Sequence, residues 1–498
     1  MAITKKSPVA PKRGKSAFAT FRRMRSSVPG LDVLLGGGLP EGRAYLLRGG
    51  AGTGKTVLAA QLAFDLARAG SNSVFVTMLS EAHATLMQNL RTLSFFDEGL
   101  ISERLTFVSG FQSLVEGGLP RLATLLRESI REHRARLLVV DHISAAVDVA
   151  EEPLDLKRFL RDLSTFGSFA GCTGLFIATG ESPGPKRAFV ETIADGVIEL
   201  GRVASELRTQ RTIEVLKLRG SGYLEGKHMT DITSDGLVIH PRVEARLCAR
   251  PSTTPEPPTR ARFGMRRLDE MLKGGLVVGS ATGVLGASGA GKTLLGLQFL
   301  REGARRREPG LYFGFYEMPP RLLAKARGVG LPLDRPRGAI ELIWQPPLEL
   351  TLDAVAERLL DAVDRRNVRR LFIDGADALR TAALFPKRLP RFLAALMNEL
   401  RLRQVTTIVS NEIEIFAPFV SSSKGNTSAA FDNLILLRYV ELRSQLRRLL
   451  SIVKVHESDY DSSIREFSIT SRGIVLSDTF ESAEALLSGY ARIPKAER

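Results

Sequence analysis

Short apolar runs alternate along this chain with longer stretches in which apolar residues recur at helical spacing. In the first half the clearest runs are residues 44–47, 73–77, 137–140 and 175–178. They consist almost entirely of apolar residues, which is typical of parallel strands buried on both faces. Residues 57–69 and 121–132 have the amphipathic pattern of crossover helices. The pattern therefore predicts a sheet with helices packed on its faces.

Later in the same half, the pattern changes from strands joined by helices to strands joined by turns. Residues 196–200, 211–216 and 236–240 are short runs that contain Val and Ile, and the stretches between them have no helical periodicity. The predicted fold class is therefore α/β, with a mostly parallel, doubly wound sheet and a β-rich C-terminal edge.

The whole pattern occurs twice. Two segments and one lysine recur at one offset of 237 residues: 31–39 at 268–276, 49–56 at 286–293, and Lys217 as Lys454. A single offset across almost the whole half-chain indicates a tandem duplication rather than chance similarity. We therefore expect two copies of one fold in this chain.

The stretch between the copies is rich in proline around Pro255, and such a stretch cannot continue a helix or a central strand. Residues 1–21 carry four Lys, one Arg and no acidic residue. We expect their apolar groups to be too few to offset the entropy of ordering, so we predict that this tail is disordered. The predicted organisation is a basic tail at 1–21, a first domain at 22–245, a linker at 246–261, a second domain at 262–485 and a short tail at 486–498.

Two glycine-rich loops fit the pattern G-x-x-x-x-G-K-[ST], and each follows an apolar run. Their residues are Gly49, Gly50, Ala51, Gly52, Thr53, Gly54, Lys55 and Thr56 in the first copy, and Gly286, Ala287, Ser288, Gly289, Ala290, Gly291, Lys292 and Thr293 in the second. Glycines let the backbone amides point at phosphate oxygens without side-chain collisions. The lysine supplies a positive charge at the β- and γ-phosphates. The loops predict two ATP sites.

Each loop has an acidic partner further along the chain. The apolar run 137–140 is followed by Asp141, and the run 371–373 is followed by Asp374. An aspartate after an apolar run is common for structural reasons, but here each aspartate accompanies a phosphate loop. We predict that Asp141 and Asp374 act with the loop hydroxyls of Thr56 and Thr293 to hold Mg²⁺.

Hydrolysis also needs a group that orients and deprotonates water. Glu81 and Glu317 follow apolar strands 25 and 24 residues after the loop threonines, Thr56 and Thr293. Because this position repeats in both copies, we assign the two glutamates a catalytic role. The alternative is that each caps the N-terminus of the next helix.

Composition excludes several classes of protein. Hydrophobic residues make up 44% of the chain and charged residues 25%, as in ordinary globular proteins. No run reaches the roughly 18 apolar residues of a membrane span, and no apolar signal segment begins the sequence, so we predict a cytoplasmic protein outside the membrane. Cys172 and Cys248 cannot build a disulfide framework. The net charge of +16 keeps nucleic acid open as a partner.

The sequence EVLKLRG at 214–220, together with LLRYVE at 436–441 and SIREF at 463–467, resembles the KaiC family of circadian clock ATPases. The resemblance covers about residues 22–485 and implies two tandem RecA-like P-loop domains. It also implies a homo-oligomer, a hexameric double ring with ATP bound between subunits. Lys217 and Arg219 would then contact the γ-phosphate held by the adjacent subunit, with Lys454 at the equivalent place in the second domain. Judged from its charge alternation alone, the strand is a solvated edge strand.

Three departures from the family pattern affect the second domain. His456 and Glu457 stand where the first copy has arginine and glycine, and neutral histidine lacks the bidentate guanidinium. The family autophosphorylates an adjacent serine and threonine, but Ser428 is followed here by Ala429. Ser428 is therefore a candidate phosphoacceptor, and the alternative is that it is an ordinary loop serine. The family's long tail, which recruits a clock partner, has no counterpart after 489–491. We therefore do not expect a three-component oscillator.

These features favour an ATP-binding and ATP-hydrolysing signalling protein, with serine autokinase activity as an additional expectation and a regulatory protein as its partner. Two alternatives stay open. The same fold serves DNA-acting motors, which the basic charge favours, although the sequence contains no recognisable nucleic-acid-binding module. Alternatively, the second domain holds ATP as a scaffold without turnover, which would be consistent with His456.

Overall fold

The computed structural model describes residues 22–78, 83–150, 152–179, 191–205, 208–246, 259–334, 338–346, 351–413, 427–442, 445–456, 458–471 and 473–479. The chain divides into two compact units. One comprises the described residues up to Val203 together with Gln210–Ile239, and the other comprises Ala204–Thr209 and the described residues from His240 onwards. The predicted tails 1–21 and 486–498 and most of the predicted linker lie outside the described residues.

The first half of the chain forms eleven strands and six helices within its described residues. The strands are β1 Arg23–Met24, β2 Leu39–Pro40, β3 Ala44–Gly49, β4 Ser73–Thr77, β5 Leu105–Ser109, β6 Leu137–Asp141, β7 Thr173–Thr179, β8 Gly196–Ser205, β9 Arg208–Leu218, β10 His228–Thr233 and β11 Gly236–His240. The helices are α1 Leu31–Leu34, α2 Lys55–Arg68, α3 His83–Leu90, α4 Phe111–Glu132, α5 Ser144–Val149 and α6 Pro153–Ala170.

Nine of these strands form one sheet in the order β11-β10-β9-β8-β3-β7-β6-β4-β5. Strands β3 to β7 pair in parallel, β8 lies parallel to β3, and β9 pairs antiparallel with β10. Because the parallel strands point the same way, their carboxyl ends meet at one edge. The register pairs Gly49 with Thr179 and Thr77 with Asp141 at that edge.

The second half repeats this arrangement. Its strands are β12 Arg260–Ala261, β13 Leu276–Val277, β14 Ala281–Gly286, β15 Gly310–Gly314, β16 Ile340–Trp344, β17 Arg370–Asp374, β18 Thr406–Glu412, β19 Asn433–Leu442, β20 Gln445–Val455, β21 Arg465–Thr470 and β22 Gly473–Thr479. Its helices are α7 Arg266–Met271, α8 Lys292–Arg305, α9 Pro319–Gly328, α10 Leu352–Arg366, α11 Ala378–Ala382 and α12 Leu389–Leu402.

The second large sheet has the order β16-β15-β17-β18-β14-β19-β20-β21-β22. Each neighbouring pair in this order from β16 as far as β19 is parallel, and each pair from β19 to β22 is antiparallel. Both sheets are therefore mostly parallel with a meandering C-terminal edge, which confirms the predicted α/β class and the tandem RecA-like architecture. The helix expected at 121–132 is part of the longer α4, which is interrupted where Gly117 and Gly118 leave helical geometry.

A buried ion network anchors the segment that follows β11 within the second unit. Arg388 donates to the carboxylates of Glu244 and Asp353 at 2.5–2.7 Å, and the Asp353 side chain has no exposed surface. Asp353 Oδ1 also accepts the backbone amide of Val243 at 3.2 Å. Paired buried charges of this kind are stable only while every partner is present. The arginine therefore holds the short 3₁₀ helix Val243–Ala245 against α10.

Candidate functional site

The two glycine-rich loops lie between a buried strand and the start of a long helix. In the first unit β3 ends at Gly49 and α2 begins at Lys55. Gly54 and its counterpart Gly291 have φ values of 103° and 105°, in the left-handed region that favours glycine. Each of these glycines is the N-cap of a 14-residue helix. The free amides and the positive dipole end of both helices therefore face the loop, as an anion site requires.

The loop lysines fold back over their own loops. Lys55 Nζ donates to the carbonyls of Gly49 and Gly50 at 2.8 and 2.7 Å. Lys292 Nζ makes the same two contacts with Gly286 and Ala287, at 2.7 and 2.8 Å. Burial lowers the pKa of Lys292, whereas Glu412, Asp374 and Asp377 act in the opposite direction. Each ammonium is therefore fixed beside the cradle where phosphate oxygens would lie.

Each loop threonine is joined to its predicted aspartate. The Thr56 hydroxyl donates to Asp141 Oδ2 at 3.1 Å, and the Thr293 hydroxyl donates to Asp374 Oδ2 at 2.9 Å. The aspartates are the last residues of β6 and β17. In both units the fold therefore places the loop threonine beside the aspartate that the sequence predicts as its partner.

The chemistry of the first pair fits a divalent cation. Asp141 is 7% exposed, and among the described residues its Oδ1 has no hydrogen-bond donor, although His142 Nδ1 lies 3.0 Å away. A buried carboxylate oxygen without a donor is costly unless a cation or water completes its shell. Hydroxyl and carboxylate oxygens are the ligands that Mg²⁺ prefers.

The second aspartate is held more firmly. Besides Thr293, Asp374 accepts hydrogen bonds from Ser410 Oγ at 2.7 Å and from the Tyr312 hydroxyl at 3.1 Å. Burial, together with the negative charge of Asp374, raises the pKa of the Tyr312 phenol, which therefore stays protonated as a donor. Neither Ser410 nor Tyr312 belongs to a sequence motif, so the motif search did not find them.

Only one of the two predicted catalytic glutamates lies in the part of the chain that the structure describes. Glu81 lies outside the described residues, so its role stays a prediction. Glu317 lies three residues beyond the end of β15, and its Oε2 pairs with Lys325 Nζ of α9 at 3.1 Å. This ion pair occupies one oxygen of the carboxylate, so the other oxygen, Oε1, would have to orient the water.

The basic residues of β9 lie against the backbone of their own unit. Lys217 Nζ donates to the carbonyls of Glu191 and Thr192 at 3.0 and 3.1 Å. Arg219, which follows the strand, donates to Thr192 O at 3.2 Å. In the second unit Lys454 Nζ donates to Phe431 O at 2.8 Å. All three cations therefore donate to backbone carbonyls, and Arg219 Nη1 also lies 3.8 Å from Asp195 Oδ1, a long ion pair.

The remaining predicted residues lie in the second unit. His456 is exposed directly after β20. Ser428 lies in the short 3₁₀ helix Thr427–Ala430, which also contains Ala429, and its side chain lies outside what the structure describes. Glu457 lies outside the described residues as well.

Residues of the β-rich edge also cover the phosphate loops, and the sequence analysis did not identify them. Arg202 and Arg211 donate to the carbonyl of Gly52 at 2.7 and 3.3 Å. The residues one repeat offset later are Tyr439 and Arg448, whose guanidinium carbon lies 5.3 Å from the tyrosine ring centroid. A Cβ at Gly289 would lie 3.0 Å from the Tyr439 hydroxyl. Applying the repeat offset to charged edge-strand residues would have found them.

A phosphate loop between strand and helix, with its threonine bonded to an aspartate on a neighbouring strand, defines a P-loop nucleotide-binding domain. The chain has two such RecA-like domains in tandem. A family model described as "ATPase: KaiC" matches residues 24–244 and 261–480. The chain belongs to the KaiC family of ATPases.

Individual relatives are similar to this chain over nearly its whole length. The "Circadian clock oscillator protein KaiC" of Picosynechococcus sp. is 28% identical over 95% of this chain and 93% of its own length. The "Circadian clock oscillator protein KaiC 1" of Synechocystis sp. is 27% identical over 97% of this chain and 93% of its own. The protein of Synechococcus elongatus is 27% identical over 95% and 92%.

None of the helices in the described part of the chain has both the length and the apolarity needed to cross a membrane.

Proposed function

We propose that this chain binds Mg²⁺-ATP at both phosphate loops and hydrolyses it mainly at the first. The observation that carries this proposal is the repeated arrangement of a lysine on the loop carbonyls and a threonine on an aspartate. A lysine, a helix N-terminus and loop amides are what a triphosphate requires. Bound Mg²⁺, held by Thr56 and Asp141 or by Thr293 and Asp374, would neutralise charge on the β- and γ-phosphates.

We further propose that catalysis is completed between subunits of a homo-oligomeric ring, as the family resemblance implies. Lys217 and Arg219 lie next to each other on one face of the strand end. Both donate to backbone carbonyls, and Arg219 Nη1 also lies 3.8 Å from Asp195 Oδ1. A γ-phosphate of a neighbouring subunit would be a stronger acceptor than a backbone carbonyl, because its oxygens carry full negative charge opposite these two cations. A hexamer with ATP between subunits would place them as arginine-finger-type groups, worth about 10³–10⁵ in rate.

The second domain is proposed to bind ATP and to turn it over more slowly. Its strand keeps Lys454 but has His456 at the position of the arginine, and its Glu317 is bound to Lys325. Ser428 is the residue that an autokinase activity would modify. The nucleotide state of the ring would then set the binding of a regulatory protein in the cytoplasm. The relatives found carry the names of clock proteins, which favours signalling over the DNA-motor alternative.

Three measurements on the full chain test this proposal. ATP turnover with and without Mg²⁺ tests hydrolysis, and light scattering with ATP tests whether the mass reaches six times the 54.5 kDa of one chain. Incubation with γ-labelled ATP and mass spectrometry tests modification of Ser428, with Ser428→Ala as control. Failure to bind ATP at either loop would overturn the proposal. Stimulation of turnover severalfold by DNA, with steeply salt-dependent binding, would favour the motor instead.

A further inference from the structure

The carboxyl edges of the two sheets carry one matched hydrogen bond in different chemical form. In the first unit the Thr179 amide donates to the Ser144 hydroxyl oxygen at 3.2 Å. In the second unit the Glu412 amide donates to Asp377 Oδ2 at 2.5 Å. Ser144 and Asp377 each lie three residues after the aspartate that contacts the loop threonine. The backbone geometry is therefore conserved between the repeats, while the side chains change from two hydroxyl groups to two carboxylates.

Strand register places these residues beside the phosphate loops. Thr179 pairs with Gly49, and Glu412 pairs with Gly286, the first glycine of each loop. The residue after Glu412, Ile413, donates its amide to the Gly286 carbonyl at 3.2 Å. Thr179 and Glu412 therefore occupy equivalent positions in the two sites, beside the first glycine of each phosphate loop.

The added carboxylates lie beside the loop lysine. Glu412 pairs in strand register with Gly286, whose carbonyl accepts a hydrogen bond from Lys292 Nζ at 2.7 Å, and Asp377 Oδ2 accepts the backbone amide of Glu412. The same two carboxylates contribute, after burial, to raising the pKa of the Tyr316 phenol. Both therefore lie within electrostatic reach of the lysine at the phosphate position. The second site has two more negative charges here than the first site has at Ser144 and Thr179.

We propose that Asp377 and Glu412 determine nucleotide preference at the second site, by disfavouring the γ-phosphate so that this site holds ADP more readily than the first site does. ATP carries one more negative charge than ADP. The carboxylates of Asp377 and Glu412 repel that charge even where solvent partly screens them. In the first site the hydroxyls of Ser144 and Thr179 are neutral and can donate to a phosphate oxygen. The inference rests on the proposed function, since it assumes that both loops bind nucleotide.

Fluorescent ATP and ADP analogues, titrated into the full chain in excess Mg²⁺, test the proposal. A Lys55→Ala background leaves only the second loop intact. In that background the double change Asp377→Ser with Glu412→Thr installs the residues of the first site. We expect the ratio Kd(ATP)/Kd(ADP) to fall by about tenfold. The isosteric pair Asp377→Asn with Glu412→Gln should give a similar fall while keeping the size of both side chains and an acceptor for the Glu412 amide.

The reciprocal change supplies the opposite sign. Ser144→Asp with Thr179→Glu, in a Lys292→Ala background, should raise the same ratio at the first loop by about tenfold. The charge-matched control concerns the second loop. Asp364→Asn with Glu399→Gln removes two carboxylates of the second unit that pair with Arg403, and it should leave the ratio at the second loop unchanged. Ratios that stay constant in both directions, with nucleotide still bound, would overturn this inference alone. Absence of nucleotide binding in the unmodified chain would overturn the proposed function.

Discussion

The Lys217 ammonium group lies 3.0 Å from the carbonyl oxygen of Glu191 in its own unit. Burial, and next to it the positive charge of Arg219, lowers the pKa of Lys217. The ammonium group is thus partly desolvated and donates to carbonyls, while the nearby carboxylates of Asp195 and Glu191 act on its pKa in the opposite direction. A phosphate supplied by another subunit would offset both effects. Under the proposed function, this arrangement would connect the oligomeric state to catalysis, and His456 in place of the arginine would make the two ATP sites unequal.

Removing one loop lysine at a time should therefore have unequal consequences. Lys55→Ala should abolish most ATP turnover, because only the first domain keeps both Lys217 and Arg219. Lys292→Ala should remove a minor part. The measurement is steady-state phosphate release by each purified variant, with circular dichroism to show that both are folded. Equal losses would contradict the assignment of hydrolysis to the first domain.

Restoring the missing arginine should activate the second site. In a Lys55→Ala background, His456→Arg supplies a permanently charged, bidentate guanidinium, which an imidazole cannot provide. We expect residual turnover to rise by at least about tenfold, a small part of what arginine fingers provide. His456→Gln, which supplies no guanidinium, is the matched control and should give no gain. If the arginine and glutamine variants behaved alike, the trans role of this strand position in the second domain would be wrong.

The fold was predictable where burial leaves a strong pattern. The strand β4 has the bounds 73–77 that its apolar run predicts, because each of its first four residues is buried. The edge strand β5, by contrast, has only Leu105 fully buried, so it shows no clear run and was not predicted. The first part of α4 was also missed, since Gly117 and Gly118 break the helical spacing there.

The sites were predictable as far as their chemistry lies in contiguous motifs. The loops and their aspartates follow from glycine spacing and strand ends, but the ion pair between Glu317 and Lys325 joins a strand end to a helix and has no sequence signature. The difference between Thr179 and Glu412 is visible only through strand register, because neither residue belongs to the loop motif. The repeat offset of 237 residues does not locate this pair, because Thr179 and Glu412 are 233 residues apart; only their pairing with the first glycine of each loop makes them equivalent.

Breaking the ion network of the second unit should destabilise it strongly. Arg388→Met leaves Glu244 and the fully buried Asp353 without their cation, and removal of one partner from a buried network costs about 3–5 kcal/mol. Urea unfolding at pH 7 measures the loss. The triple variant Arg388→Met, Glu244→Gln and Asp353→Asn removes all the charges and should recover part of it. A triple variant as unstable as the single one would show that lost packing, not unpaired charge, is responsible.

The same network has a pH signature. Burial tends to raise the pKa of Glu244, but the hydrogen bonds from Arg388 outweigh it, and the pKa is lowered below its ordinary 4.5. The stabilisation is therefore present above the unfolded-state pKa and is lost as the pH falls through the folded-state pKa. The stability difference between the unmodified chain and Arg388→Met should shrink on acidification below about pH 4.5, and a difference independent of pH would argue against this contribution.

Alkaline pH should destabilise the first unit through Cys172. Burial raises the pKa of this thiol from its ordinary 9.0 to about 12, with Arg136 acting weakly in the opposite direction. Below pH 9 both folded and unfolded chains keep the thiol proton; between pH 9 and about 12 only the folded chain does, so the unfolded state is favoured. Each pH unit in that window costs up to about 1.4 kcal/mol. Unfolding by urea at pH 8 and pH 10.5 should therefore show a loss of stability that is smaller in Cys172→Ala than in the unmodified chain.

Both proteins keep the buried Tyr45, whose pKa is also raised by burial, so its contribution cancels in the comparison. Identical losses in the two proteins would mean that the Cys172 thiol ionises as readily in the folded chain as in the unfolded one.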